Sequence, residues 1–299
     1  MQTNSSSNDN FNLLRTVKQL CTTHVRDPLD FEKIKRWLNQ FEGEEERRLG
    51  LLILRFLVFR TSKQMVSSLR QGLQKAARHY HPNGIPIETT HWKDILTGEA
   101  GTLKFYFGPP SHEFSPPGKS GDLVTRLVRE CITVPNTSLI NPASITNLSS
   151  RERFIIVDDA SYTGEQLIDF FSSTDGIRML RNIPQVGIVL GLAHTKALDA
   201  LESAYPQIPV FYGELITEEE CFERMAQTWV VDGWWGYDST TPFDLYMDIV
   251  DRKAKFQDPK PLGFGSIGCM VAFWHLKAPD DALQLLWGRS ETWEPLFER

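Results

Sequence analysis

The chain has 299 residues, of which 41% are hydrophobic and 23% are charged. Such a composition is typical of a globular protein with a full apolar core, and the length allows one large or two modest domains. The formal net charge of -6 argues against nucleic-acid binding as the main function. The longest apolar run, residues 49–59, falls well short of the roughly 20 residues that a membrane span requires, so we expect no membrane partner.

The cysteines and the first residues indicate a cytoplasmic protein. Four cysteines are scattered along the chain without a Cys-x-x-Cys pair, which predicts reduced, buried thiols. Residues 1–10 are polar and lack the pattern of an export signal, so we expect them to be disordered.

Residues 11–80 show apolar side chains at helical spacing, and we expect this stretch to be entirely helical. Asp30 is a suitable N-cap for a first helix, Gly43 a suitable stop, and two further helices follow over 44–60 and 61–80. A Pro-Asn-Gly linker follows at residues 82–84. We therefore predict a helical N-terminal region over 11–90, which contacts a protein partner or a second copy of the chain, and an α/β domain over 91–299.

Apolar runs at residues 103–107, 154–157, 185–193, 210–213 and 268–275 alternate with helical patterns. Strands that alternate with helices predict an α/β fold with a mainly parallel sheet and flanking helices. The Thr217 to Glu220 capping box and the pair Thr241-Pro242 predict the starts of two of the later helices.

One stretch has the spacing of a ligand site. The buried strand 154–157 is followed by Asp158 and Asp159, then by Thr163-Gly164 and an apolar helix. In open α/β sheets, ligands bind beyond the carboxyl ends of strands, near a switch in strand order. The amides at a helix start can hold a phosphate, and adjacent carboxylates can accept hydroxyl hydrogen bonds or bind a divalent cation.

This stretch resembles the signature of the type I phosphoribosyltransferases. The resemblance implies that Asp158 and Asp159 are the catalytic carboxylates at the ribose of phosphoribosyl pyrophosphate, with Mg²⁺ as cofactor and both aspartates as its ligands. It also implies a ribose-phosphate loop formed by Ala160, Ser161, Tyr162, Thr163, Gly164, Glu165 and Gln166. The sequence departs from the signature at the last two positions. A carboxylate at Glu165 is compatible with a bound phosphate if its side chain points to solvent.

A second possible anion site precedes the signature. Lys119, Ser120 and Gly121 stand just before a helix predicted from Asp122, and Arg126 lies on that helix. In a phosphoribosyltransferase this is the position where pyrophosphate is held. A plain surface turn explains the same residues equally well.

Most of the chain, from about Trp37 to Arg299, resembles the phosphoribosyltransferase-like effectors of prokaryotic conflict and antiviral systems. The resemblance rests on Trp37-Leu38 with Phe41, on Gly263-Phe264-Gly265, and on a C-terminal Trp followed by Pro-Leu-Phe. The family's Pro-Asn-Asn turn is Pro279-Asp280-Asp281 here, and the exchange removes amide donors. Trp287, Trp293 and Phe297 are expected to be core anchors.

Three functions remain open from the sequence. The chain is a phosphoribosyltransferase or related ribose-phosphate hydrolase, a catalytically inactive module that senses a nucleotide and signals to a partner, or an interaction scaffold in which the acidic pair only caps a turn. A receiver domain is disfavoured, because the next apolar run ends in His194-Thr195-Lys196 and offers no phospho-acceptor aspartate.

Overall fold

The computed structural model describes residues 3–81, 91–99, 103–111, 120–145, 148–273, 275 and 277–298. Its contacts divide the chain into two compact units, one of Met1–Ser62 with Thr217–Arg299 and one of Lys63–Ile216. The domain boundaries predicted at residues 10 and 90 stay predictions, and the first helix starts at Thr3, inside the segment expected to be disordered. Within the described ranges, every helix is too short or too polar to cross a membrane.

The unit of Lys63–Ile216 contains a four-stranded parallel sheet. Its strands β2 (Lys104–Gly108), β3 (Glu152–Ser161), β4 (Val186–His194) and β5 (Val210–Ile216) lie side by side in chain order. The helices are α4 (Ser62–His79), α5 (Trp92–Thr97), α6 (Ser120–Cys131), α7 (Glu165–Ser172), α8 (Thr174–Asn182) and α9 (Thr195–Ala204). The predicted α/β fold is confirmed. The expected switch in strand order is not found among these four strands, which follow one another without a reversal.

The core of this unit explains why β3 and β4 are apolar along their length. Phe154, Ile155, Ile156 and Val157 are fully buried, and all nine residues of β4 are buried. Phe154 and Ile156 share one cluster with Phe170 and Phe171 of α7. Both faces of the central strands are therefore covered, as expected for a parallel sheet between helices.

Helix α4 lies unusually close to the sheet. A Cβ added at Gly72 would stand 3.0 Å from Val189 Cγ1 and 3.3 Å from the Leu190 carbonyl oxygen. At Gly213 of β5, an added Cβ would collide with the backbone of Ser68. Two glycines on facing surfaces therefore allow this helix to contact the strand backbone directly.

The unit of Met1–Ser62 and Thr217–Arg299 combines both ends of the described chain. Its elements are α1 (Thr3–Thr22), α2 (Phe31–Leu38), α3 (Gly43–Phe56), β1 (Val58–Arg60), α10 (Phe222–Val231), α11 (Pro242–Asp248), β6 (Val271–Phe273) and α12 (Gln284–Trp287). Asp30 caps α2 by accepting from the Glu32 amide, as predicted. The capping box at Thr217 and the Thr241 cap of α11 are also confirmed.

Two predictions for the N-terminal helices were wrong. Residues 58–60 form the strand β1, paired in parallel with β6, so residues 11–80 are not entirely helical. The partner strand stands more than 200 residues later in the chain, and local periodicity cannot reveal such a pairing. Gly43 does not end a helix but is the first residue of α3, with φ of +71°. The preceding helix stops at Leu38 and the chain turns before Gly43.

Trp37 and Trp293 join the two chain segments of this unit. Both indole N–H groups donate to the same carbonyl oxygen, that of Leu285, over 3.0 Å. Phe41 contacts both rings edge-on, at centroid distances of 4.8 Å and 5.2 Å. Trp293 and Phe297 are fully buried, and Trp287 is half-buried with its N–H on the Ala282 carbonyl. The expectation that these aromatic residues anchor the core is confirmed for Trp293 and Phe297.

Gly213→Ala tests the close contact between α4 and β5. The added methyl group overlaps the Ser68 backbone, so we expect a loss of about 1–3 kcal/mol in the free energy of unfolding, the usual cost of overpacking. Gly236→Ala is the matched control, since a Cβ there meets nothing within 4 Å. Urea denaturation followed by circular dichroism measures both, and equal midpoints would contradict the contact.

Candidate functional site

The acidic pair lies within β3 rather than after it. The strand was expected to stop at Val157, but it continues to Ser161 alongside β4, with Asp158 opposite Leu190 and Ala160 opposite Leu192. The pairing of β3 with β2 ends earlier, at Ile156 opposite Gly108. Among the described strands, residues 157–161 therefore have a neighbour on one side only. The two carboxylates belong to this singly paired part of β3.

Both carboxylates accept hydrogen bonds from the backbone of β3. Asp158 Oδ1 accepts from the Asp159 amide over 3.0 Å, and Asp159 Oδ1 accepts from the Ala160 amide over 2.9 Å. The two carboxyl groups also influence each other's ionisation. Asp158 is only 3% exposed, whereas Asp159 is partly exposed. Asp159 is therefore the carboxylate that a ligand can reach first.

Burial makes the ionised form of Asp158 costly. Removal from water raises the pKa of Asp158 well above its ordinary value, and the neighbouring charge of Asp159 raises it further. The pKa of Asp159 is also raised by burial, although its interactions with Asp158 and with the Ala160 amide act in the opposite direction. The pair therefore ionises less readily than two separate aspartates in water.

The predicted phosphate loop leads directly into α7. Gly164 is the N-cap of this helix, with φ of +82°, and its carbonyl accepts the Ile168 amide over 3.0 Å. The Glu165 amide donates to Thr163 Oγ1 over a long 3.4 Å. Ser161 and Tyr162 are buried, Thr163 is partly exposed, and Glu165 and Gln166 are exposed. The side chain of Glu165 is thus exposed to solvent, as a phosphate bound at this helix start requires.

A second helix begins beside this loop. His194 ends β4 and caps α9, because its Nδ1 accepts from the Lys196 amide over 3.1 Å. A Cβ at Gly164 would stand 3.1 Å from the Ala197 carbonyl oxygen in the first turn of α9. In the sequence, His194 served only as evidence against a receiver domain. Its position after a strand parallel to β3 was the signal that could have placed it at the same sheet edge.

The second predicted anion site is only partly described. Lys119 lies outside the described residues. Ser120 and Gly121 form the first turn of α6, which starts two residues before the predicted Asp122. Arg126 is exposed on the same helix. The assignment of these four residues to a pyrophosphate stays a prediction.

The acidic pair can hold Mg²⁺ only in combination with other ligands. Asp158 and Asp159 supply the hard oxygen atoms that Mg²⁺ prefers, and Mg²⁺ is commonly bound by one or two carboxylates together with substrate phosphates and water. Within the described ranges, no cluster of three or more His, Cys, Asp or Glu side chains could hold a metal ion. The two carboxylates therefore fit a cation that a phosphorylated ligand helps to hold.

The two short C-terminal motifs are packed against one another. The Phe264 amide donates to the Asp280 carbonyl over 2.8 Å, and the Cys269 amide donates to the Asp281 carbonyl over 3.1 Å. Gly263, with φ of +69°, has no room for a side chain against the backbone of the same turn. The Pro279-Asp280-Asp281 turn thus contacts Phe264 and Cys269 through its main-chain carbonyl groups. These contacts do not depend on whether the side chains are amides or carboxylates.

A parallel sheet flanked by helices, an acidic pair near the carboxyl end of its buried strand and a Thr-Gly loop that opens a helix define a phosphoribosyltransferase-like protein. The chain belongs to the PRTase-CE family, whose model matches residues 34–299. The match includes the acidic pair and the loop together with the Trp37 and Trp293 regions. No curated protein matches the chain.

Asp158→Asn tests the cost of the buried carboxylate. Since the pKa of Asp158 is raised in the folded protein, folding is favoured while the group is protonated, and stability falls as pH rises from the ordinary aspartate pKa through the raised one. An asparagine keeps an oxygen acceptor for the Asp159 amide but carries no charge. We expect a higher Tm at neutral pH, by about 2–4 °C for each ~1 kcal/mol of relief.

The control for this prediction is Asp169→Asn on α7, where the side chain is exposed. Calorimetric scans at several pH values compare the wild type with both variants. The difference between Asp158→Asn and the wild type should shrink as pH falls. A Tm that drops at neutral pH on Asp158→Asn would show that the ionised carboxylate stabilises the fold.

Proposed function

We propose that the chain binds a ribose 5-phosphate ligand, with phosphoribosyl pyrophosphate as the first candidate, between the acidic pair and the start of α7. The observation that carries the proposal is the position of Asp159: it is partly exposed in the part of β3 that pairs only with β4 among the described strands, and five residues later Gly164 caps a helix. Family membership supports a phosphoribosyltransferase-type function for this fold.

The two halves of the ligand call for different chemistry. Ribose hydroxyl groups donate to the carboxylate of Asp159, while the phosphate accepts from amides at the start of α7, where the helix dipole favours an anion. Thr163 is partly exposed and the bond from the Glu165 amide to its Oγ1 is long, so a phosphate oxygen can replace it at little cost. The exposed Glu165 side chain turns its charge to solvent.

Asp158 has a positioning role in this proposal. Its carboxylate accepts from the Asp159 amide over 3.0 Å and affects the ionisation of the Asp159 carboxyl group. A divalent cation that enters with a pyrophosphate group would stabilise both ionised carboxylates and neutralise charge on the leaving group. Group transfer at the anomeric carbon is the activity that such a site would support, and nucleotide sensing without turnover is the other function that uses the same contacts.

Asp159→Asn tests ligand binding directly. Because a charged acceptor for the ribose hydroxyls is lost, we expect at least a tenfold weaker affinity for phosphoribosyl pyrophosphate, about the value of one charge-assisted hydrogen bond. Isothermal titration with phosphoribosyl pyrophosphate and Mg²⁺ measures this, with Asp169→Asn as the control that keeps full affinity. Equal affinity in both variants, or no heat with the wild type, would refute the proposed site.

Gly164→Ala tests the loop independently of the carboxylates. A side chain at φ of +82° is strained and would press on the Ala197 carbonyl at 3.1 Å. We expect weaker binding of phosphoribosyl pyrophosphate and of ribose 5-phosphate alike, because both use the phosphate contact. The same titration, with Gly236→Ala as control, measures it, and an unchanged affinity for both ligands would place the phosphate elsewhere.

The pH dependence of binding separates this site from a general anion site. Ribose hydroxyls donate more strongly to an ionised carboxylate than to a protonated one, and the raised pKa values of the pair move its ionisation to higher pH than usual. Affinity should therefore increase as pH rises through these raised pKa values, and Asp159→Asn should reduce the increase. Release of pyrophosphate in the presence of a panel of bases then distinguishes transfer or hydrolysis from sensing.

A role in antiviral defence rests on the resemblance of the C-terminal motifs, and it stays a proposal together with a protein partner or second copy at the helical N-terminal region. In such a setting, ligand binding at the loop would be the event that controls the effector.

A further inference from the structure

The helices α10 and α11 form an open apolar groove on the unit of Met1–Ser62 and Thr217–Arg299. The groove has a volume of about 400 Å³ and is lined mainly by Ala226, Val230, Val231, Pro242 and Phe243. Val231 is 85% exposed and Val230 is 46% exposed. Two adjacent apolar residues at the end of a helix are costly to leave in water unless something covers them.

The groove stands within the most acidic part of the chain. From Thr217, which caps the 3₁₀ turn before α10, to Asp248, the last residue of α11, there are eight acidic residues and one basic residue, a net charge of -7. The whole chain has -6, so the remaining residues together are close to neutral. All eight acidic side chains are exposed, and Glu223 stands on the rim of the groove.

The nearest basic side chains after α11, those of Arg252 and Lys253, form ion pairs mainly with Glu46, which lies outside the acidic segment. Lys253 Nζ lies 2.9 Å from Glu46 Oε2, and Arg252 lies 3.0 Å from Glu46 Oε1 and 3.0 Å from Asp248. Only Asp248 of the eight acidic side chains shares in these ion pairs. The negative field around the groove is therefore not cancelled by these two neighbours.

A second hollow on α11 has the same character. It has a volume of about 420 Å³ and is lined by Met247, Asp248, Val250, Asp251, Pro259 and Pro261. Apolar side chains again lie beside carboxylates, and Met247 is 36% exposed. The apolar and acidic surface thus extends along α11 instead of ending at one pocket.

We propose that the groove between α10 and α11 binds a basic amphipathic helix of a partner protein. The apolar floor fits the apolar face of such a helix, and the exposed carboxylates fit lysine or arginine side chains on its flanks. Nucleic acid and anionic lipid surfaces are repelled by the same carboxylates. Helix α10 has ten residues, or about 15 Å, which matches roughly three turns of a bound helix.

The test uses a fluorescent Leu–Lys peptide of about 14 residues, written so that leucine forms one helical face. Two peptides serve as controls: one has the same composition in an order that removes the apolar face, and the other has Glu in place of Lys. Fluorescence anisotropy with the full chain should give micromolar affinity for the first peptide, at least tenfold weaker affinity for both controls, and weaker binding in high salt.

Val231→Asp should reduce the affinity for the Leu–Lys peptide at least tenfold, because it places a charge on the apolar floor. Val231 is so exposed that the change should not disturb folding. The matched control is Val25→Asp, at another exposed valine (47%), which should leave peptide binding unchanged. Both variants should bind phosphoribosyl pyrophosphate like the wild type, which separates this proposal from the ribose-phosphate site.

Three results would overturn the proposal. The first is equal binding of the ordered and reordered Leu–Lys peptides. The second is a wild-type dimer in sedimentation that Val231→Asp converts to a monomer, which would make a second copy of this chain the occupant. The third is flotation with phosphatidylcholine–phosphatidylserine vesicles that Val231→Asp abolishes.

Discussion

The early end of β2 determines the chemistry of the candidate site. Its last pair with β3 is Gly108 with Ile156, and the five residues that follow in β3 have only β4 beside them among the described strands. A strand with one neighbour has backbone amides to satisfy. The carboxylates of Asp158 and Asp159 accept from the amides of Asp159 and Ala160 in this segment. The same side chains that a ligand would use therefore also complete the strand.

This double role explains the electrostatics of the pair. Two carboxylates placed side by side in a covered position cannot both ionise easily, and burial is the larger cause for Asp158. A ligand with hydroxyl donors, or a cation carried by its phosphates, would lower that cost. A ligand that relieves the cost of ionising the buried Asp158 would therefore bind with a correspondingly more favourable free energy.

Local patterns were sufficient for much of the fold. The apolar run 154–157, the Asp30 cap and the Thr217 capping box were all visible in a few consecutive residues, because caps and buried strands are short-range features. The pairing of β1 with β6 was not, since a three-residue strand has no periodicity of its own. The extension of β3 to Ser161 was missed because two aspartates normally mark the end of a strand.

For the candidate site, the sequence identified the acidic pair and the loop but not their accessibility. Asp159 is partly exposed and Asp158 is buried; because consecutive strand residues point to opposite faces of a sheet, this difference depends on how each face is covered. The start of α9 at His194 lies beside the loop because β4 pairs with β3, and this strand order is not visible in a run of consecutive residues. In the sequence, the two aspartates of the Pro279-Asp280-Asp281 turn stood out because they replace amide side chains. In the structure, the turn makes its hydrogen bonds to Phe264 and Cys269 through main-chain carbonyls.

The division of the chain also has a consequence for biosynthesis. The unit of Lys63–Ile216 is continuous, so it can fold as soon as it leaves the ribosome. The other unit needs Trp37 to meet Leu285 and Trp293, and β1 to meet β6. Trp37 and Phe41 therefore stay uncovered until the segment from β6 to Trp293 has been made. Of the two units, this is the one that nascent-chain chaperones would protect.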